Sequence, residues 1–214
     1  MFTLVAKIIK GIKHIYIAKL GPFIRAIKTP LLPNNPDGKV LVHIGCGELD
    51  DLRYINIDAR SMPHVHYATQ DLGLKQFAPE SVDLIYACHV IEHLSHQRLL
   101  PIFTNWFSRL KYGGVVRLSV PNFDTIVEIY KDQKKNIDAI KLPLLGGQEY
   151  DFNYHNSIFN YNYLYDLFKR SGFNTIREWE PKFASYYNFD DWASKTFVVG
   201  GKEYPISLNL EAVK

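Results

Sequence analysis

The sequence predicts an α/β fold, in which a doubly wound, mostly parallel seven-stranded sheet carries helices on both faces. Three observations predict it. Short apolar runs rich in β-branched residues recur between residues 39 and 213, segments with helical spacing separate several of them, and glycine-containing turns bound them. A chain of 214 residues is also long enough for one domain with a full core.

The first half of the chain is predicted to contain four strands and one helix. The strands lie at residues 39–44, 54–57, 65–68 and 82–88. The first is a β-branched run bounded by glycine, as is typical of a buried parallel strand. The helix, at 99–110, is followed by Lys111-Tyr112-Gly113-Gly114. Glycines just beyond a helix are a common stop signal, so a turn is expected there.

The second half continues the alternation. The predicted elements are a strand at 115–120, a helix at 123–131, an irregular segment at 134–157, a helix at 159–170, and strands at 175–180 and 206–213. Strands that alternate with helices in this order favour parallel pairing through crossover connections.

Charge divides the chain into an arm with a linker, residues 1–36, and a domain, residues 37–214. The net charge is +3, but residues 1–36 contain six basic and no acidic residues, so the domain carries −3. A mildly acidic domain argues against a nucleic-acid partner, which needs clustered lysine and arginine. The two cysteines indicate no disulfide framework, which suits the cytoplasm.

The arm at residues 1–32 mixes lysines with apolar residues and has no apolar run long enough to span a bilayer. Two interpretations stay open. A basic amphipathic helix would make peripheral contact with the anionic inner face of a membrane, and a helix packed on the domain would expose the same lysines to water. The sequence does not indicate an oligomeric state.

The most informative stretch is the strand and glycine turn ending in Gly45-Cys46-Gly47, followed by Asp58 at the end of the next strand. Glycines let a ligand approach the backbone closely. A strand-end carboxylate accepts hydrogen bonds from ribose hydroxyls, although such an acid also commonly caps a turn. This arrangement predicts a site for a nucleoside cofactor.

The acids of the same turn discriminate between cofactors. A dinucleotide fingerprint needs a third glycine where Asp50 stands. Glu48, Asp50 and Asp51, interpreted as acids at a helix N-terminus, would repel a pyrophosphate. A nicotinamide oxidoreductase is therefore disfavoured, whereas S-adenosyl-L-methionine, which carries a sulfonium and an amino group, tolerates acids.

Four stretches together resemble the class I S-adenosylmethionine-dependent methyltransferases, over about residues 39–213. They are Ile44-Gly45-Cys46-Gly47, Asn56-Ile57-Asp58, the segment 83–94 (DLIYACHVIEHL) and the segment 110–114 (LKYGG). The resemblance implies a Rossmann-like fold. The short step from Gly47 to Asp58 and the ending Ile206–Leu210 resemble a bacterial subgroup linked to surface-polysaccharide synthesis.

This resemblance also implies residue roles. Gly45, Cys46 and Gly47 would pass under the methionine and ribose, Asp58 would hold the ribose hydroxyls, Asp71 with Leu72 would lie at the adenine, and Cys88 with His89 would lie beside the methyl donor. The chain departs from the family at His43, where an acid is frequent, and at Leu49, where a third glycine is frequent. An inactive member that serves as a binding or assembly module is the alternative.

The expected reaction is O-methylation of a small or glycan-type acceptor, for which a histidine is a suitable general base. The candidates are His89, His93 and His155, each of which also has an ordinary structural interpretation. His155 lies in a long irregular segment of a kind that is often functional. Tyrosines between residues 150 and 165 either stack on a sugar or pack. No metal site is predicted, because His64 and His66 lack further ligands.

Overall fold

The structure is a computed structural model that describes Phe23, Arg25, Ile27 and residues 30–214. Most of the predicted arm at residues 1–32 therefore lies outside the described residues, and its proposed membrane contact stays a prediction. Within the described part of the chain, no helix has the length and apolar character needed to cross a membrane. The predicted cytoplasmic location likewise stays a prediction.

Nine strands are present among the described residues. They are β1 (Leu41–Ile44), β2 (Tyr54–Asp58), β3 (Tyr67–Ala68), β4 (Val82–Cys88), β5 (Leu110–Pro121), β6 (Thr175–Glu178), β7 (Thr196–Val199), β8 (Lys202–Pro205) and β9 (Ser207–Val213). Seven of them form one sheet in the order β3-β2-β1-β4-β5-β9-β6, and β7 pairs with β8 in a separate hairpin. The predicted seven-stranded, mostly parallel sheet is confirmed.

Four α-helices are described, namely α1 (His96–Arg109), α2 (Phe123–Asp132), α3 (Lys141–Leu145) and α4 (Tyr161–Arg170). Asparagine side chains begin two of them. Asn122 accepts a hydrogen bond from the Asp124 amide, and Asn160 accepts one from the Tyr163 amide. Such N-caps satisfy amide groups that have no partner within the helix.

The chain forms two compact units, of which the first is Met1–Leu72. In it β1, β2 and β3 pair in parallel. Residues 45–53 between β1 and β2 form turns and irregular backbone without a helix. The expectation that Glu48, Asp50 and Asp51 begin a helix is therefore wrong, because this connection is shorter than the dozen or so residues that a helical crossover needs.

The second unit is Gly73–Lys214. In it β4 and β5 pair in parallel, while β9 runs antiparallel to both β5 and β6. The turn predicted at residues 111–114 is wrong, because these residues lie within β5. The pairing with β4 is irregular there, between Val82 and Leu84, and Gly113 has a φ of +74°. Gly113 therefore lies in a β-bulge inside β5, and it does not form a turn before that strand.

The second unit contains secondary-structure elements that the sequence did not predict. The segment predicted as irregular, 134–157, contains a 3₁₀ turn at Ile137–Ala139 and the short helix α3. The β7–β8 hairpin was not predicted. Its Tyr204 is buried in a cluster with Ile126 and Ile129 of α2, which attaches the hairpin to that helix.

Candidate functional site

The glycine turn of the first unit has a backbone that requires glycine. Gly45 and Gly47 have φ values of +65° and +57°, in the left-handed region that disfavours other residues. The turn is tied to the end of β2, since the amides of Gly45 and Cys46 donate to the Ile57 carbonyl at 2.8 and 3.2 Å. The Gly47 amide donates to Oδ2 of Asp58 at 2.9 Å. The predicted turn and carboxylate are therefore brought together.

Asp58 is buried, and both of its oxygens are already engaged. Oδ1 accepts hydrogen bonds from the amide and the Nε of Arg60, at 2.8 and 3.1 Å. Each carboxylate oxygen has more than one lone pair, so a further donor such as a hydroxyl still finds an acceptor. Arg60 was not predicted as a site residue, because it follows the recognised stretch and no local sequence pattern marks it.

The chemistry of this turn fits an adenosyl cofactor with a cationic sulfur. Glu48 and Asp50 are exposed, whereas Asp51 pairs with Arg53 at 2.6 Å. Two carboxylates that face solvent beside the turn repel a pyrophosphate and tolerate a cation. The residues present therefore fit S-adenosylmethionine and do not fit a dinucleotide.

Neither departure from the family pattern disturbs the turn. His43 is buried in the core, edge-on to Tyr54 with 5.9 Å between ring centroids. Burial lowers the pKa of His43 to about 3, so the ring is neutral. Leu49 does not have a positive φ, so its backbone does not need glycine.

The other predicted cofactor residues of the first unit are Cys46, Asp71 and Leu72, and their contacts do not indicate a particular ligand. Asp71 is exposed, and its amide donates to Oγ1 of Thr69 at 3.0 Å, while Leu72 is buried. Burial raises the pKa of the Cys46 thiol, which therefore stays protonated. These contacts leave the adenine role of Asp71 and Leu72 a prediction.

In the second unit, β4 ends at Cys88 and the next residue, His89, has a φ of +52°. Left-handed residues other than glycine are uncommon and concentrate at functional sites. The His89 ring is also fixed, since its Nε2 lies 2.8 Å from Oγ of Ser207 and it stacks on Trp192. Burial raises the pKa of the Cys88 thiol. His89 thus has little freedom to swing toward a substrate.

The three predicted histidines meet around a glutamate that the sequence analysis did not name. Glu92 and His93 lie on a 3₁₀ turn after β4, and His155 comes from the segment between α3 and α4. The ligand-type atoms of Glu92, His93 and His155 lie within 4.8 Å of one another. His89 Nδ1 lies 3.5 Å from Oε1 of Glu92. We call Glu92, His93 and His155 the Glu–His cluster.

Hydrogen bonds fasten the two parts of this cluster together. The Glu92 carbonyl accepts from the amides of Asn156 and Ser157 at 2.7 and 3.0 Å. The Asn156 side chain donates to the His93 carbonyl at 2.9 Å, and the Ser157 hydroxyl donates to the Leu94 carbonyl at 2.6 Å. These residues are far apart in sequence, which explains why sequence reasoning treated the histidines as separate alternatives.

Burial makes the whole group neutral near pH 7. It lowers the pKa of His89 to about 3 and that of His155 to about 4, and it raises the pKa of Glu92 to about 8. The pKa of His93 is also lowered by burial, although the carbonyls of Tyr154 and His89 act in the opposite direction. Neutral imidazoles present lone pairs, which accept hydrogen bonds or bind cations.

His155 also lines a cavity of about 650 Å³ in the second unit. The other lining residues include aromatic rings and amides, among them Phe123, Asn156, Phe159, Asn160 and Tyr163. Tyr163 stacks on Phe159 with 5.7 Å between centroids, whereas Tyr161 and Tyr165 stack on each other. Of these three tyrosines, Tyr163 lines the cavity, so the sugar-stacking interpretation gains support for that residue.

Comparisons with solved structures agree with the fold. The chain is similar to an S-adenosylmethionine-dependent methyltransferase from Archaeoglobus fulgidus, with 16% identity and a TM-score of 0.52, over 82% of this chain and 86% of that one. It is also similar to a Thermotoga maritima S-adenosylmethionine-dependent methyltransferase, described as a possible histamine N-methyltransferase, with 16% identity and a TM-score of 0.51 over both full lengths. At this identity the likeness establishes the fold.

A search of curated proteins finds no match to the chain. Comparison with family models gives a more specific result than the solved structures do. The model described as a methyltransferase domain matches residues 16–178, which is more than half of the 214 residues. The chain therefore belongs to the methyltransferase domain family, and the prediction that it is a methyltransferase enzyme is confirmed.

Proposed function

We propose that the protein is an S-adenosylmethionine-dependent O-methyltransferase that acts on a hydroxyl group of a small or glycan-type acceptor. The observation that carries this proposal is the position of His155, which belongs to the Glu–His cluster and also lines the 650 Å³ cavity. An acceptor bound in this cavity presents its hydroxyl to the lone pairs of the cluster.

The first unit supplies the residues that would hold the cofactor. The Gly45–Gly47 turn leaves its backbone open to the methionine and ribose, and Asp58 accepts hydrogen bonds from the ribose hydroxyls. When bound, S-adenosylmethionine supplies an electrophilic methyl group on a positively charged sulfur. The exposed carboxylates of Glu48 and Asp50 favour that positive charge.

The second unit supplies the acceptor site. Aromatic rings such as Tyr163 stack on the apolar face of a sugar ring, and amide side chains such as Asn160 bond its hydroxyls. The neutral imidazole of His155 accepts a hydrogen bond from the acceptor hydroxyl and orients its oxygen. The proton passes on to water as the methyl group is transferred, because an imidazole with a pKa of about 4 does not retain it at neutral pH. A hydroxyl-rich acceptor agrees with the sequence resemblance to a bacterial subgroup linked to surface-polysaccharide synthesis.

The test measures methyl transfer from labelled S-adenosylmethionine to a panel of monosaccharides, glycans and amines. Tyr163→Ala should raise the KM of a glycan acceptor by about 2- to 10-fold, as expected for the loss of one ring contact. Binding of S-adenosylhomocysteine should not change. Tyr165→Ala is the matched control, because Tyr165 is similarly exposed on the same helix and does not line the cavity.

Two outcomes would contradict the proposal. Transfer to amines alone would place the protein with N-methyltransferases. Cofactor binding without transfer to any acceptor of the panel would favour the binding or assembly module.

A further inference from the structure

We propose that Glu92, His93 and His155 bind a divalent transition-metal ion of the zinc class. Two imidazoles and one carboxylate are a ligand set that zinc uses in catalytic sites, where a further coordination position stays open. The three ligand-type atoms already lie within 4.8 Å of one another. The proposal depends on this juxtaposition and on three further features of its surroundings.

The first feature is the Glu92 carboxyl group, which lacks a hydrogen-bond partner among the described residues. Glu92 is only 1% exposed, and neither of its carboxyl oxygens accepts a hydrogen bond from the described residues, although Oε1 lies 3.5 Å from Nδ1 of His89. A buried polar group without a partner is costly. A cation bound between Glu92 and the two imidazoles would satisfy these oxygens.

The second feature is the orientation of the His93 ring. Its Nδ1 lies 3.1 Å from the Tyr154 carbonyl oxygen, which can only accept a hydrogen bond. Nδ1 therefore carries the proton, and Nε2 presents its lone pair. A hydrogen bond from the far nitrogen to a carbonyl is the usual way in which proteins orient a metal-binding histidine.

The third feature is the rigidity of the segment that delivers His155. The hydrogen bonds from Asn156 and Ser157 to residues 92–94 hold the segment against the 3₁₀ turn. Gly146 also lets the ring approach, since a Cβ there would lie 3.0 Å from Cδ2 of His155 and 2.4 Å from the Asn153 carbonyl oxygen. The backbone that carries His155 is thus held against the backbone of Glu92 and His93 before any ion arrives.

The ligand set also selects the kind of ion. Magnesium and calcium prefer oxygen ligands throughout, whereas imidazole suits zinc and other late divalent ions. Tetrahedral zinc with bonds of about 2.0 Å places its ligand atoms roughly 3.3 Å apart. The ligand atoms, which now lie within 4.8 Å of one another, therefore need to approach by up to about 1.5 Å. The ion would lower the pKa of an acceptor hydroxyl in the open position, and the proton would pass to water, because the imidazole lone pairs would be engaged by the ion. This last role rests on the proposed function, whereas metal binding does not.

The test is a calorimetric titration of the full-length, tag-free, metal-stripped protein with zinc chloride, in the absence of cofactor and acceptor. We expect one zinc ion per chain and a rise in melting temperature when zinc is present. Glu92→Gln and His155→Ala should each weaken binding by about 100-fold or more. Glu203→Gln, at an exposed glutamate of the β7–β8 hairpin, should bind zinc as the wild type does.

Glu92→Gln keeps the size of the buried side chain, and circular dichroism checks that this variant is folded. Absence of saturable zinc binding to the wild type would overturn the proposal. Wild-type affinity in both cluster variants would also overturn it, since the ion would then sit elsewhere. Metal binding by a protein that methylates no hydroxyl would contradict the proposed function and leave the metal site standing.

Discussion

Burial determines the charge of individual histidines in this protein, and His43 shows it most simply. The ring is buried in the core of the first unit. Burial lowers its pKa to about 3, although the negative charges of Asp51 and Asp58 act to raise it. In the unfolded chain the same ring titrates near the usual histidine pKa of about 6.5. The folded protein therefore holds His43 neutral at pH values where the unfolded chain protonates it.

This difference predicts how stability depends on pH. Between about pH 6.5 and pH 3 the unfolded state binds a proton that the folded state does not, so the free energy of unfolding falls as the pH is lowered. The contribution of one such group is at most about 1.4 kcal/mol per pH unit. His43→Leu should show a correspondingly shallower fall than the wild type when urea denaturation is measured between pH 7 and pH 5. Parallel pH profiles for the two proteins would contradict the assignment.

Single residues also show where sequence reasoning succeeded and where it failed. Gly45, Gly47 and Asp58 were predictable, because a turn and the end of the next strand are close in sequence as well as in space. Arg60 was not predictable, because its contact with Asp58 depends on the loop conformation. The cluster of Glu92 with His155 depends on contacts between distant segments, for which one sequence carries no signal.

At the scale of elements, an ion-pair network joins three strands of the second unit. Glu211 of β9 is paired in register with Arg117 of β5 and with Arg177 of β6. Its Oε2 accepts from Arg117 at 2.9 Å, and its Oε1 lies 2.7 Å from Arg177. Arg117 also donates to the Ser185 carbonyl and lies over the Trp179 ring. The network therefore fixes the antiparallel strand against both of its neighbours.

Removal of the shared carboxylate should have a large effect on stability. Glu211→Gln leaves the buried Arg117 guanidinium without its counter-charge, and breaking a buried pair in this way costs about 3–5 kcal/mol. Arg177→Gln is the matched control. The Arg177 side chain is 64% exposed, so its loss should cost only about 0–1 kcal/mol. Equal shifts of the two urea midpoints would mean that the network does not hold the sheet edge.

Elements were predictable where their patterns are local. The strand at Val82–Cys88 was predicted with the bounds that the structure shows, because a short run that is apolar except at Asp83 marks a buried strand. The β7–β8 hairpin was missed, although Gly200-Gly201 after the apolar segment Thr196–Val199 is a hairpin signal. The second strand, Lys202–Pro205, begins with two charged residues and gives no apolar pattern. At Gly113 a turn was predicted where the structure has a bulge, because a glycine that follows a helix is compatible with either.

At the scale of the whole molecule, the predicted site residues are divided between the two units. The glycine turn, Asp58, Asp71 and Leu72 belong to Met1–Leu72, whereas Cys88 and the Glu–His cluster belong to Gly73–Lys214. The predicted cofactor residues come from recurrent local patterns, which is why the sequence identified the enzyme class. The proposed acceptor site is the cavity beside His155, which long-range packing creates and no local sequence pattern indicates.

We propose that this methyltransferase holds S-adenosylmethionine through the Gly45–Gly47 turn and Asp58. Calorimetric titration of the full-length protein with S-adenosylhomocysteine measures that binding. We predict saturable binding of one ligand per chain, at least about 10-fold weaker in Asp58→Ala because one charge-assisted hydrogen bond is lost. Asp166→Ala, at an exposed aspartate of α4, should bind as the wild type does. Absence of binding at millimolar ligand, or wild-type affinity in Asp58→Ala, would contradict the claim.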